Sequence, residues 1–185
     1  YIGYLMDSVI NKDYSFGVPC MDRNFVDYTF SPKVNALFRF NLQDLACQFI
    51  LGYGYPMQDF QELQKEFVSR LEETVTVYEY PNISFLEIPS TGLTEDEKTY
   101  VTNFVGLLAS RYTSPHNVVI AYYSDNGKVG RASFRGSIQT VDFRKSLNDF
   151  GIDGRGHAAA YGILNFDKDE ELFKKISDRC SQLFE

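Results

Sequence analysis

The sequence predicts an α/β fold, a mixed sheet flanked by helices and preceded by a helical or irregular connector. Three observations predict it. Beyond residue 58, runs rich in β-branched and aromatic residues alternate with amphipathic helical runs. Between two of the strand-like runs lies a hairpin turn, Asp125-Asn126-Gly127-Lys128, so neighbouring strands run in both senses. Hydrophobic residues make up 44% of the 185 and charged residues 23%, which suits a packed core and excludes a disordered chain.

Residues 1–40 have weak periodicity, many aromatics and turn residues (Gly17, Pro19, Ser31-Pro32), and read as an irregular lead-in or the tail of a preceding domain. Asn41 is placed to cap a helix on which Leu42, Leu45, Ala46, Phe49 and Ile50 share a face, with Gly52 ending it. The segment GYGYP breaks the chain, and a second helix starts at Asp59 with Phe60, Leu63, Phe67 and Leu71 aligned. A weak boundary falls here, dividing residues 1–58 from a domain over 59–185. TVTVYEY and NISFLEI have strand character. Thr94-Glu95-Asp96-Glu97 fits a capping box, in which hydroxyl and carboxylate satisfy each other's backbone donors. The helix it opens buries Tyr100, Val101, Phe104, Leu107 and Leu108. NVVIAYY is a buried strand and VGRASFRG the returning one. A short helix over 142–150 follows, then a glycine loop, a helix start at His157–Tyr161, and a strand at Ile163–Phe166. A C-terminal helix carries Leu172, Phe173, Ile176, Cys180 and Leu183 on its apolar face.

Cys20, Cys47 and Cys180 are odd in number, far apart and in no C-x-x-C pair, so a disulfide framework or zinc site is not expected and a reducing cytoplasm is the simplest setting. The start, YIGYLMDSVI, has no basic region or cleavage site, and no apolar run is long enough to span a bilayer. Because the chain begins with Tyr rather than Met, it reads as a piece of a longer protein. The net charge of −7 argues against a surface that grips nucleic acid all over. From Lys128 to His157, however, six cations (Lys128, Arg131, Arg135, Arg144, Lys145, Arg155) face only three aspartates. That local excess reads either as an anion site on an acidic body or as a solvated face.

The segment GRGHAAAYGI, Gly154 to Ile163, sharpens the choice. A glycine turn feeding a helix presents unpaired N–H groups at the positive end of the helix dipole. Gly154 and Gly156 permit close backbone approach, Ala158 to Ala160 keep the next turn slim, and His157 can bond a phosphate oxygen or a base edge. The other reading is a tight loop, a small-residue packing face and a surface histidine. Upstream, Ser133-Phe134-Arg135-Gly136-Ser137 offers two hydroxyls and a guanidinium whose planar fork suits phosphate, or else a surface arginine paired with a carboxylate. Tyr161 reads as a core aromatic before a base platform.

Taken together, ASFRGSIQTVDFRKSLNDFGIDGRGHAAAYGI resembles the C-terminal substrate-binding module of the DHH phosphoesterases, in which an S-x-R-S strand precedes a V-D helix and a G-G-G-H-x-x-A-x-G loop. Ser133, Arg135, Val141, Asp142, Gly154, Gly156, His157, Ala160 and Gly162 carry the match. FSPKVNALFRFNLQDLACQFILG is similar, through Pro32, Asn35, Ala36 and Arg39, to the P-[RK]-[IV]-N-A-x-G-R segment between the two domains of RecJ-like single-strand exonucleases. NFVGLLASRY looks like their G-[IV]-[VL]-A-S-[RK] helix. Arg155 replaces the middle glycine of the loop, Phe38 replaces the glycine before Arg39, and Gly136 is an extra residue before Ser137.

The resemblance implies a DHH-associated substrate-binding domain over 59–185, with 1–58 as connector or tail of an N-terminal DHH metal domain. In that family two Mn²⁺ or Mg²⁺ ions, held by Asp and His of the N-terminal domain, assist hydrolysis. No Asp-His-His occurs here, and His116 and His157 are far apart, so this chain is expected to hold no metal and to be inactive alone. Its implied role is to hold the phosphate backbone of single-stranded DNA through Arg135, His157, Arg155, Gly154 and Gly156, with Ser133 and Ser137 in support and Arg39 on the strand or the domain interface. Two other readings stand beside it. One is the same family acting on short oligonucleotides, nucleoside bisphosphates or cyclic dinucleotides. The other is a non-catalytic nucleic-acid-binding or dimerising module.

Overall fold

The computed structural model describes residues 26–51, 59–137, 142–164 and 166–184. Most of the expected lead-in, the Gly52 stop, the GYGYP break and Val141 lie outside the described residues. The chain divides into two compact units, Tyr1–Phe67 and Val68–Glu185.

In the first unit a π-helical turn, Val26–Phe30, leads into α1 (Ser31–Arg39), and α2 (Gln43–Ile50) follows. The stretch expected to be irregular is thus helical from residue 26 to 39. Pro32 sits in the first turn of α1, where a missing N–H breaks no hydrogen bond. Packing then holds the helix, with Leu37 buried among Ala46 and Phe49 of α2. Asn41 does not cap α2. It takes a φ of 59° in the turn between the helices, a conformation asparagine tolerates, and Leu42 occupies the cap position. The next helix, α3 (Phe60–Thr74), starts as its spacing predicts, with the Asp59 carboxylate accepting the N–H groups of Gln61 and Glu62.

The second unit is built on a six-stranded sheet in the order β1-β2-β3-β4-β6-β5. Its strands are β1 (Thr76–Tyr80), β2 (Ile83–Pro89), β3 (Val118–Asp125), β4 (Lys128–Arg135), β5 (Gly154–His157) and β6 (Ala160–Ile163). Only β2 and β3 pair in parallel; every other neighbouring pair is antiparallel. A parallel pair needs a crossover, supplied here by α4 (Glu95–Tyr100) and α5 (Val105–Tyr112). The predicted capping box opens α4: Thr94 Oγ1 accepts the Glu97 N–H at 3.2 Å and Glu97 Oε2 accepts the Thr94 N–H at 2.8 Å. Glu97 also receives Arg70. The predicted single helix is interrupted by a 3₁₀ turn, Val101–Asn103, where three weak helix formers occur in a row. Asn126 and Gly127 have φ of 49° and 80°, the pair of positive values that a tight hairpin between β3 and β4 requires.

One face of the sheet carries Phe85, Ile120, Tyr122, Phe134 and Tyr161 and packs on α6 (Phe143–Asn148) and α7 (Glu170–Phe184). Phe173 of α7 stacks on Phe85 with 3.9 Å between ring centroids. The apolar face predicted for α7 is the one that packs, with Phe173, Ile176 and Cys180 buried. The opposite face, with Val119, Ala121 and Ser133, lies against α5.

The helix start predicted at His157–Tyr161 is corrected by the structure: these residues form the β5–β6 hairpin, and the strand expected at Ile163–Phe166 ends at Ile163. Alanine favours helix in isolation. Here tertiary pairing decides, because β6 is matched along β4 and the Gly136 N–H extends that ladder to the Ala159 carbonyl at 2.8 Å. Tyr161 is thereby delivered into the core, stacked on Phe134 at 4.8 Å.

Candidate functional site

Strand alternation assembles four of the predicted site residues, Ser133, Arg135, Arg155 and His157, on one face. Phe134 and Tyr161 point into the core, so their neighbours Ser133 and Arg135 on β4, and Ala160 and Gly162 on β6, point the other way. On β5, Gly154 pairs with Ile163 and Gly156 with Tyr161, which leaves Arg155 beside Gly162 and His157 beside Ala160. Two rows result. Arg135, Ala160 and His157 form one, and Ser133, Gly162 and Arg155 the next. The small residues of β6 make the floor of a trough between a β4 wall and a β5 wall. A side-chain carbon built on Gly162 meets nothing within 4 Å, so the floor is open above it.

The two loop glycines serve the core side. A Cβ on Gly154 would stand 2.4 Å from Tyr161 Cδ2, and one on Gly156, at a φ of 137°, would stand 2.8 Å from the Ala160 carbonyl oxygen. They are required for β5 to lie close over Tyr161. The dipole of a helix N-terminus is therefore absent from this loop. Cations supply the positive character instead. The Leu164 N–H donates to the Asp153 carbonyl at 2.8 Å, and this phase turns the amides of Gly154 and Gly156 toward the open edge of the sheet. Arg144 donates to the Gly156 carbonyl at 3.1 Å.

Arg135 is half-buried. Its Nη1 donates to Ser133 Oγ at 2.8 Å and to the Phe134 carbonyl at 2.6 Å. Ser133 is buried and donates to the Tyr161 carbonyl at 3.3 Å. The guanidinium is also confined by α5, since a Cβ on Gly106 would lie 2.4 Å from Arg135 Nη2 and 3.0 Å from Ser133 Oγ. Arg155 and His157 are exposed, and among the described residues neither side chain makes a hydrogen bond or ion pair. Ser137 is exposed and donates to the Ser114 carbonyl at 2.8 Å, fixing the exit of β4. A concavity of about 630 Å³ lies at the hairpin end of the trough, lined by Gly136, Ser137 and His157 to Ala160.

Arg39 belongs to the first unit. On α1 it donates Nη1 to Gln64 Oε1 at 3.3 Å, and burial lowers its pKa from the ordinary arginine value. Tyr161 is a core residue, its hydroxyl buried without a hydrogen-bond partner among the described residues and its pKa pushed up by burial. Gly106 is the residue whose place at the site the sequence reading left out. The signal was a glycine inside an otherwise apolar helical run. Among the described residues no group of three or more His, Cys, Asp or Glu could hold a metal ion, and no helix is long and apolar enough to cross a membrane.

No protein-family model and no curated protein matches the sequence. Solved structures do. RecJ from Thermus thermophilus, crystallised with Mn²⁺, aligns with 100% of this chain and 27% of its own at a TM-score of 0.55 and 16% identity. The Mg²⁺ complex of the same protein aligns with 86% of this chain and 25% of its own at a TM-score of 0.53 and 17% identity. The chain thus spans about a quarter of the length of these RecJ chains. It is an α/β protein that shares the fold of part of RecJ, the fold its sequence resemblance implied.

Proposed function

We propose that this chain is the substrate-holding part of a RecJ-like phosphodiesterase of the DHH family, and that it grips the phosphate backbone of single-stranded DNA. The observation that carries this reading is the trough: Arg135 on β4 and His157 on β5 face each other across Ala160 on the same side of the sheet. Arg135 offers a planar fork, held by Ser133 and by the closeness of Gly106, so little side-chain freedom is lost on binding. His157 adds a donor from the opposite wall, and Ser137 lies at the hairpin end of the same concavity. The acidic remainder of the chain disfavours nucleic acid elsewhere on the surface.

Hydrolysis is assigned to a separate DHH domain in a cytoplasmic protein, where bound Mn²⁺ or Mg²⁺ would activate water and stabilise charge on the phosphoryl group. Arg39 is proposed to meet the strand or that domain. The test is a titration of labelled single-stranded DNA at fixed salt, followed by fluorescence anisotropy. Arg135→Ala and His157→Ala should each weaken binding by roughly tenfold or more, the usual weight of a charge-assisted hydrogen bond. Affinities equal to that of the unaltered chain would reject the reading.

A further inference from the structure

We infer that Arg155 takes a second phosphate, one nucleotide step from the phosphate between Arg135 and His157, so that the site selects ligands carrying two successive phosphates. This rests on the phosphate-holding reading above and adds a residue that the resembled loop lacks, since glycine is its counterpart there. The row of Arg155 and the row of His157 are two residues apart on β5, which is about 7 Å along an antiparallel strand. That offset matches one step of an extended backbone. Within its row Arg155 stands opposite Ser133, which is buried and already bonded to the Tyr161 carbonyl and to the Arg135 guanidinium. Between them the floor is Gly162, over which nothing stands within 4 Å of a built side-chain carbon, so an anion has room to descend.

Arg155 is available for that task. It is exposed and, among the described residues, is paired with no carboxylate. A guanidinium with an unused fork beside an open floor is suited to bidentate phosphate binding. The track also has an end. The next residue outward on the Arg155 side of β5 is Asp153, paired through its carbonyl with the exposed Leu164. A carboxylate there opposes a third phosphate, while Leu164, 52% exposed, offers an apolar surface to the second nucleotide's sugar or base.

The test compares thymidine 5′-monophosphate, the 5′-phosphorylated dithymidine and the 5′-phosphorylated trithymidine by calorimetric or NMR titration of the 185-residue chain. Affinity should rise about tenfold or more from one phosphate to two and change little from two to three. Arg155→Gln should abolish the rise from one phosphate to two, with a much smaller loss for the monophosphate, and Arg155→Lys should keep part of the rise. On longer single strands Arg155→Gln should reduce the logarithmic salt slope by about 0.7. A rise that survives in Arg155→Gln, or an equal loss for all three ligands, overturns the inference while leaving the Arg135–His157 site standing. Monophosphate binding that is identical in Arg135→Ala overturns both.

Discussion

Gly106→Ala is a perturbation outside the trough that should act on it through one side chain. The new methyl carbon would lie 2.4 Å from Arg135 Nη2 and 3.1 Å from Arg135 Cζ, and 3.0 Å from Ser133 Oγ. Arginine is long and can retreat, so the fold survives and the guanidinium moves. Alanine gains up to about 1 kcal/mol over glycine in a helix. Against this stand two hydrogen bonds of Arg135, to Ser133 and the Phe134 carbonyl, at about 1 kcal/mol each. Net stability should therefore change little or fall by about 1 kcal/mol. Single-strand affinity should drop by roughly tenfold, because the displaced fork loses its placement for phosphate. In an Arg135→Ala background the signs separate: Gly106→Ala should then stabilise by a few tenths to about 1 kcal/mol, held back only by Ser133, and should not weaken binding further. Urea unfolding and anisotropy titrations on the four proteins of the cycle measure both quantities. Unchanged affinity of Gly106→Ala, or an undiminished loss in the Arg135→Ala background, would refute the reasoning.

Three further outcomes follow from the packing and charge of the second unit. Gly154→Ala should cost about 1–3 kcal/mol, because its methyl would meet the Tyr161 ring at 2.4 Å and that ring is stacked on Phe134 and cannot withdraw. Melting indistinguishable from the unaltered chain would contradict this. Burial drives the Glu87 carboxyl upward, but bonds from Lys168 at 2.7 Å, from Tyr78 at 2.8 Å and from Ser124 prevail and hold it below the usual carboxylate value. A depressed folded-state pKa stabilises above the unfolded value and loses that contribution on acidification. Stability between about pH 5 and about pH 3 should therefore fall less steeply in Glu87→Gln than in the unaltered chain, and parallel unfolding curves would rule this out. Cys180 is fully buried and its thiol is pushed up to about 12 by burial, whereas Cys47 is exposed. Maleimide at neutral pH, read by mass spectrometry, should spare Cys180 until denaturant is added and label Cys47 at once. Rapid native labelling of Cys180 would show that the core opens there.

Elements whose pattern is local were legible in the sequence. The Thr94 box, the Asn126-Gly127 turn and the apolar stripe of α7 each specify their structure through a few neighbouring residues. The GRGHAAAYGI segment was misread because its decisive interactions are distant: Tyr161 with Phe134, Gly136 with Ala159, and β6 with β4. Three alanines state a helical preference that amounts to tenths of a kcal/mol per residue, less than the burial of one tyrosine ring. The predicted residues Ser133 and Arg135 nonetheless lie on β4 and Gly154 to His157 on β5, the two strands that flank β6, since motif spacing survives an error in local conformation. What spacing could not reveal is which side of the sheet each residue takes, and so the two rows across Ala160 and Gly162 stayed hidden. Gly106 was hidden for the same reason, being a contact between a helix and a strand about thirty residues later.

The parallel pairing of β2 with β3 has a consequence for recognition. Two strands that contribute nothing to the trough oblige the chain between them to leave the sheet and come back over one side, and α5 is the returning limb. Its backbone becomes the lintel above Arg135. Lengthening or shortening residues 90–117 by a single position would rotate that lintel and retune the grip on an anion while every residue of the grip itself stayed the same.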